Sequence, residues 1–297
     1  IAEEVFADDG VVPHKEACGL GGKLEGDAGR NVVKEIAEEI DRPAEDGLVE
    51  VALTAHTILV ATGSTSVHPN RFPFDHPQVR DSESILNLEH LPRSVAVIGG
   101  GAIGCEYASI FNALGVPVTL VEARQRLLAP VDAELAQRWQ QHLAQQGVQF
   151  LLDDDVTRVE LPGPGQASND LGLVLKSGQA LPAAVVLVAV GRRGNVAGLN
   201  LEAAGLAASP EGIIAVNDHF QSSVPHIYAA GDVVGWPVLA STSMEQARVA
   251  MAHAFEHADA RGAAIYPLAV YTIPEVAMFG LSEEACREQG RAYAVGH

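Results

Sequence analysis

A glycine hexad set between an apolar strand and a helix narrows the folds open to this chain more than any other stretch. Ser94-Val95-Ala96-Val97-Ile98 reads as a buried strand, and Gly99-Gly100-Gly101-Ala102-Ile103-Gly104 follows it at once as G-x-G-x-x-G. A helix is expected from about Ala102 to Leu114, closed by Gly115 as a C-cap. Val118-Thr119-Leu120-Val121-Glu122 then supplies a second strand ending in an acid, which completes a βαβ unit of the dinucleotide-binding, Rossmann type. Each glycine has its own task. Gly99 permits the tight turn, Gly101 lets a diphosphate approach the backbone, and Gly104 lets helix and sheet pack closely. The helix start, at Ala102 and Ile103, presents unpaired N–H groups and roughly half a positive charge to the phosphates. Glu122 stands where a carboxylate accepts from the ribose hydroxyls of NAD and repels the 2′-phosphate of NADP, while Arg124 and Arg126 follow as possible partners of that phosphate. The balance favours NAD and leaves NADP open.

The site must be a local exception, because the protein is strongly acidic. Its 297 residues carry 38 acids against 19 bases, a formal charge of −19. Such a surface repels phosphate backbones and anionic lipid, so neither nucleic acid nor membrane is expected as a partner. No apolar run approaches the roughly 20 residues of a membrane helix. With 47% hydrophobic and 19% charged residues, the composition is that of a globular α/β chain of about two domains. Cys18, Cys105 and Cys286 are far apart and form no C-x-x-C or C-x4-C pair, so neither a zinc site nor a dithiol is read from them. Scattered thiols and an acidic start, Ile1-Ala2-Glu3-Glu4, point to the cytoplasm.

Away from the hexad the pattern is uneven. Residues 1–46 are the least legible, and Gly19-Leu20-Gly21-Gly22-Lys23 fails the phosphate-loop spacing. Leu48 to Leu53 alternates, and Thr57-Ile58-Leu59-Val60-Ala61 is a short buried strand ending in Thr62-Gly63-Ser64. A polar loop over 67–80 leads to a helix start at Asp81-Ser82-Glu83-Ser84. A second helix is expected from Asp132 to Gln146, with Leu135, Trp139 and Leu143 on one face, then a parallel strand over Val148–Leu152. Residues 156–179 read as antiparallel strands, Ala183 to Val190 as one continuous apolar strand ending at Gly191-Arg192, and Gly212–Val216 and His226–Ala230 as short strands. Ala229-Ala230-Gly231-Asp232 sits at a strand end, where Gly231 admits close approach and Asp232 can accept from a sugar-like hydroxyl. Overlapping capping boxes in Leu239-Ala240-Ser241-Thr242-Ser243-Met244-Glu245-Gln246 place a helix start there, its positive end suited to an electron-rich ring carbonyl such as reduced flavin. That helix is expected over Ser241–His257. His253-Ala254-Phe255-Glu256-His257 spells H-x-x-E-H, but without a third ligand or cleft it is read as ordinary helix histidines and no metal is assigned. Strands of a further domain are expected over Ala269–Gly280.

These landmarks, in this order, resemble the flavin-dependent pyridine nucleotide–disulfide oxidoreductases from Ile58 to Gly296. The residues that carry the resemblance are Ala61-Thr62-Gly63-Ser64, the glycine hexad, Gly191-Arg192, Ala230-Gly231-Asp232 and Tyr271-Thr272-Ile273-Pro274-Glu275. Within the family the likeness is greatest to the soluble transhydrogenase branch, on Gly104-Cys105-Glu106-Tyr107-Ala108-Ser109-Ile110-Phe111 and Gly235-Trp236-Pro237-Val238-Leu239-Ala240-Ser241, with the dihydrolipoamide dehydrogenase branch second. The resemblance implies an α/β fold in which a Rossmann-type NAD(P) domain, 91–215, is inserted in a partial FAD domain, 1–90 and 216–264, before the start of an α+β dimerisation domain, 265–297. It implies FAD and NAD(P) as cofactors and a homodimer. By the same likeness Asp232 bonds the FAD ribityl chain, Thr62, Gly63 and Ala240 lie near the FAD, Gly191 belongs to the cofactor crevice, and Glu106 stands by the nicotinamide. Hydride then passes from NAD(P)H to flavin and on to a second nicotinamide; the alternatives are a disulfide-reducing fragment and a non-catalytic NAD-binding module. The family's first FAD-binding glycines, its redox cysteines and its C-terminal His-Glu pair are expected outside 1–297, leaving this chain alone inactive.

Overall fold

The computed structural model describes residues 5–7, 10–12, 55–163, 168–256, 262 and 266–296. In chain order the strands begin with β1 (Val5–Ala7), β2 (Gly10–Val12), β3 (Ile58–Val60), β4 (Ser64–Ser66), β5 (Val79–Arg80) and β6 (Val95–Ile98). Helix α1 (Ala102–Ala113), β7 (Val118–Glu122), α2 (Ala133–Gln145) and β8 (Gln149–Leu152) follow. Then come β9 (Val156–Glu160), β10 (Leu171–Leu175), β11 (Ala180–Ala183), β12 (Val185–Val188) and β13 (Arg192–Gly194). The last elements are β14 (Ile227–Ala229), α3 (Ala240–Ala254), β15 (Leu268–Val270), β16 (Val276–Met278) and α4 (Glu283–Glu288). The chain divides into two compact units, Ile1–Ser64 with Gly194–Ala263, and Thr65–Arg193 with Ala264–His297. The Gly19–Lys23 cluster, Cys18, His257 and the Leu48–Leu53 alternation lie outside the described residues.

The second unit is organised by a five-stranded parallel sheet in the order β5-β12-β6-β7-β8. Its central strands are covered on both faces, which is why β6 and β12 read as unbroken apolar runs and are buried at every position. An antiparallel meander, β9-β10-β11, buries Val156, Leu171, Leu173 and Leu175 in the same core as Ile98, Val121 and Val186. The expected Ala183–Val190 strand is shorter, Val185–Val188, and Ala183 ends a separate strand before it. Ala180–Ala183 pairs with β10, the chain breaks at Ala184, and Val185–Val188 joins the parallel sheet. Side chains enforce the break: Ser94 Oγ accepts from the Ala184 N–H at 3.0 Å, and Gln78 Nε2 donates to its carbonyl at 2.6 Å.

On α2, Asp132 is the N-cap and its carboxylate accepts from the Glu134 N–H. The buried face is Ala136, Trp139 and Leu143, while Leu135 is exposed and turns away from the core. In the first unit β3 and β14 pair in parallel over a core of Val60, Leu206, Ile214, Ile227 and Val233. The strand expected over Gly212–Val216 is reduced to one isolated bridge, Ala208 to Ile214. At the start of α3 the expected capping boxes do not form. Leu239 is the N-cap with no side-chain bond, and Ser243 Oγ donates back to the Leu239 carbonyl at 3.0 Å.

Candidate functional site

The glycine hexad lies at the carboxyl end of β6, beside the carboxyl end of β12. The chain leaves β6 toward β7 and β8 on one side and later comes back to the other side of β6 as β12, which lies between β6 and the earlier strand β5. That reversal makes the crevice outside these strand ends the place where open α/β sheets hold ligands. The glycines divide into two kinds. A Cβ at Gly104 would stand 1.9 Å from the Gly99 carbonyl oxygen, and one at Gly99 would stand 2.4 Å from the Ala189 oxygen at a φ of +109°. Both are required by packing. Gly101 differs: its φ of −76° is open to any residue, and a Cβ there meets nothing within 4 Å. Its missing side chain leaves open room directly before α1, whose first amides have no side-chain cap. Ala102 is exposed and Ile103 half-buried at this opening. Gly191, at the end of β12, is likewise open around its Cβ position, and its carbonyl accepts from the Val67 N–H at 3.0 Å.

Glu122 ends β7 only 5% exposed. Its Oε2 accepts from the Gly100 N–H at 2.6 Å, and its Oε1 accepts from the Arg124 N–H and Nε at 2.9 Å each. Burial works to raise the pKa of this carboxyl, but the guanidinium and amide of Arg124 and the amide of Gly100 outweigh it and hold the group below its ordinary value. Beside it, burial and the charges of Glu122 and Glu106 drive the Cys105 thiol far up, so it stays protonated. Glu106 Oε1 accepts from the Tyr271 N–H at 2.8 Å, and Ser109 Oγ accepts from the Ile273 N–H at 3.1 Å. Sequence reading missed this clasp, as it missed the group around Arg192, whose guanidinium reaches Ser66, Ser82 and Glu83. No local pattern announces contacts across more than 100 residues.

The remaining residues singled out by sequence gather in the other unit. Thr62 Oγ1 donates to the Asn195 carbonyl at 2.7 Å, and the Gly63 carbonyl accepts from the Asn195 N–H at 2.9 Å. Ser64 Oγ donates to Asp232 Oδ2 at 2.5 Å. The Gly231 N–H donates to Gln246 Oε1 at 2.7 Å, which ties the turn to α3. Ala240, exposed, opens that helix, and Thr242 Oγ1 is buried with no hydrogen-bond partner among the described residues. Open space at the Gly63 Cβ position, an uncapped helix start and an orphaned hydroxyl fit a polar group arriving at this turn. His253 stacks on His219 at 4.3 Å, and its Nδ1 meets the Tyr228 hydroxyl at 2.9 Å.

Fold and site together define an α/β protein with the Rossmann-type fold. The family model for pyridine nucleotide-disulphide oxidoreductases matches residues 7–254, and the chain belongs to that family. The soluble pyridine nucleotide transhydrogenase of Colwellia psychrerythraea is 43% identical over 254 residues, 84% of this chain and 53% of that protein. Its namesake from Enterobacter sp. is 41% identical over 253 residues, 84% of this chain and 53% of that protein. Among solved structures, the HOCl-induced flavoprotein disulfide reductase RclA from Escherichia coli matches with a TM-score of 0.72 at 29% identity, over 80% of this chain and 54% of that one. LpdA from Mycobacterium tuberculosis matches with a TM-score of 0.73 at 27% identity, over 83% and 52%. The chain spans about half the length of these relatives. Among the described residues no helix is long and apolar enough to cross a membrane.

Proposed function

We propose that this chain is part of a flavoprotein that moves hydride between nicotinamide dinucleotides by way of FAD, the transhydrogenase reaction. The observation that carries the reading is the open space at Gly101 before an uncapped helix, with a buried carboxylate at the end of the next strand. In this reading the amides of Ala102, Ile103 and Gly104 take the diphosphate, and Glu122 and Arg124 meet the adenosine ribose. Gly191 lets the nucleotide lie close to the end of β12, and Glu106 orients the nicotinamide. In the other unit Thr62, Gly63, Gly231, Asp232 and Ala240 hold the flavin, with Asp232 accepting from a ribityl hydroxyl. A bound flavin supplies the hydride acceptor and donor; the residues here bind, align and exclude water, and none has to act as general acid or base.

The domain limits 91–215 for nucleotide binding and 1–90 with 216–264 for flavin belong to the same proposal, as do the start of a dimerisation domain at 265–297, a homodimer and a cytoplasmic location. A disulfide-reducing activity is the second reading, favoured by the likeness to a flavoprotein disulfide reductase. Cys105, buried with its thiol held protonated, is no candidate for that chemistry. The test is calorimetric titration of the chain with NADH and with ADP-ribose, beside an absorption spectrum of the purified protein. Binding of both ligands by the chain is expected, and a flavin band from protein that also carries the family's first FAD-binding glycines; failure to bind either nucleotide refutes the reading.

A further inference from the structure

The carboxylate at the end of β7 is already occupied by a neighbour. Besides its bonds to the amides of Gly100 and Arg124, Glu122 is gripped by the Arg124 guanidinium, through Nε to Oε1 at 2.9 Å and Nη2 to Oε2 at 3.1 Å. Both oxygens are used twice, which exhausts the lone pairs of a carboxylate. The two halves of this arrangement are unlike. The amide bonds are fixed by the turn, whereas the Arg124 side chain is 55% exposed and covers the acid from its outer side. Arg126 is not an equivalent cation. It donates to the Ala129 carbonyl at 2.5 Å and to Glu284 at 3.4 Å, so its charge is committed elsewhere.

We infer that Arg124 is a displaceable cover on Glu122, and that its movement lets one subsite accept both NAD(H) and NADP(H). This rests on the proposed reading of Glu122 as the adenosine-ribose residue. With a free 2′-hydroxyl, the ribose takes the acceptor sites that the guanidinium vacates, while the Gly100 and Arg124 amides keep the carboxylate in place. With a 2′-phosphate, the guanidinium swings out to pair with the phosphate and stands between it and the acid. A bare Glu122 would reject the phosphate by like-charge repulsion. A bare arginine would hold NADP(H) and give nothing to NAD(H).

The test is titration of NADH and NADPH against the wild-type chain, Arg124→Ala, Arg124→Gln and Arg126→Ala, with thermal unfolding of each. Arg124→Ala and Arg124→Gln are expected to weaken NADPH binding by about ten-fold or more and to leave NADH binding equal or tighter. Arg126→Ala is expected to keep the ratio of the two affinities within about two-fold. If the Arg124 variants weaken both nucleotides by the same factor, or leave NADPH binding intact, the cover does not exist. If the wild type binds neither nucleotide, the underlying assignment of the site falls instead, and the two failures are told apart by that control.

Discussion

The two clusters marked by sequence differ in how they are built. The Gly99–Glu122 cluster is contiguous: strand, turn, helix and strand deliver its parts within one βαβ unit, and the bond from Gly100 to Glu122 closes it. The Thr62–Asp232 cluster draws on residues 62–64, 195, 231–232 and 246, joined by bonds that span up to 168 residues. The first can be written by a motif and read from one. The second exists only once the first unit has folded, so its integrity depends on distant polar pairs rather than on a local backbone path.

The largest effect should separate packing glycines from the open one. Gly104→Ala drives a Cβ into the Gly99 carbonyl, which cannot yield without parting helix from sheet, and should cost about 3 kcal/mol in denaturant unfolding. Near-wild-type stability would mean that α1 and β6 are not so closely joined. Next come the buried partners. In the first unit Gln246→Ala strands the Gly231 amide and should cost about 1–3 kcal/mol, with loosening of the 231–234 turn in hydrogen exchange. In the second, Asp154→Asn removes the charge that Ser177's hydroxyl and amide hold, with a similar cost of about 1–3 kcal/mol. If the contiguous cluster were as dependent on distant pairs as the other, Gln246→Ala would also weaken NADH binding. It is expected not to.

Acid sharpens the comparison further. Burial raises the pKa of Asp81, Asp154 and Glu122, but Ser84 and His68, Ser177, and Arg124 with Gly100 respectively outweigh it, so all three carboxyls lie below their ordinary values. A lowered folded-state pKa means that ionisation favours folding. The stabilisation is complete above about pH 4, where unfolded carboxyls ionise, and declines as the pH falls further. Unfolding of the second unit followed by Trp139 fluorescence should therefore show falling stability below about pH 4, and the Asp154→Asn variant should show a shallower fall. A pH-independent midpoint would contradict the assignment. The smallest effect is expected at Ser64→Ala, which removes one hydroxyl from Asp232 and should cost about 0.5–1.5 kcal/mol.

The same contrast explains what could be read in advance. The hexad, α1, β7 and the span of α2 followed from short-range rules, because the strand period, the glycines and the helical apolar period act within a few residues. The break at Ala184 did not, since an apolar run says nothing about which sheet it joins; Gln78 and Ser94, some 90 to 106 residues away, decide it. The capping boxes at 239–246 failed because the helix already starts at Ala240, which puts Thr242 and Ser243 inside it, and Ser243 turns its hydroxyl back to the Leu239 carbonyl. Glu122 was placed correctly at the strand end, yet its engagement by Arg124 was invisible in a pattern that treats the two as independent options.

The central claim is that a dinucleotide diphosphate occupies the room left by the absent side chain at Gly101. Gly101→Val fills that room at a φ of −76° that valine adopts without strain, so stability should stay within about 0.5 kcal/mol of wild type. Titration of the variant with NADH is predicted to show a loss of affinity of about 100-fold or more. An unchanged NADH affinity in a folded Gly101→Val protein would contradict the account.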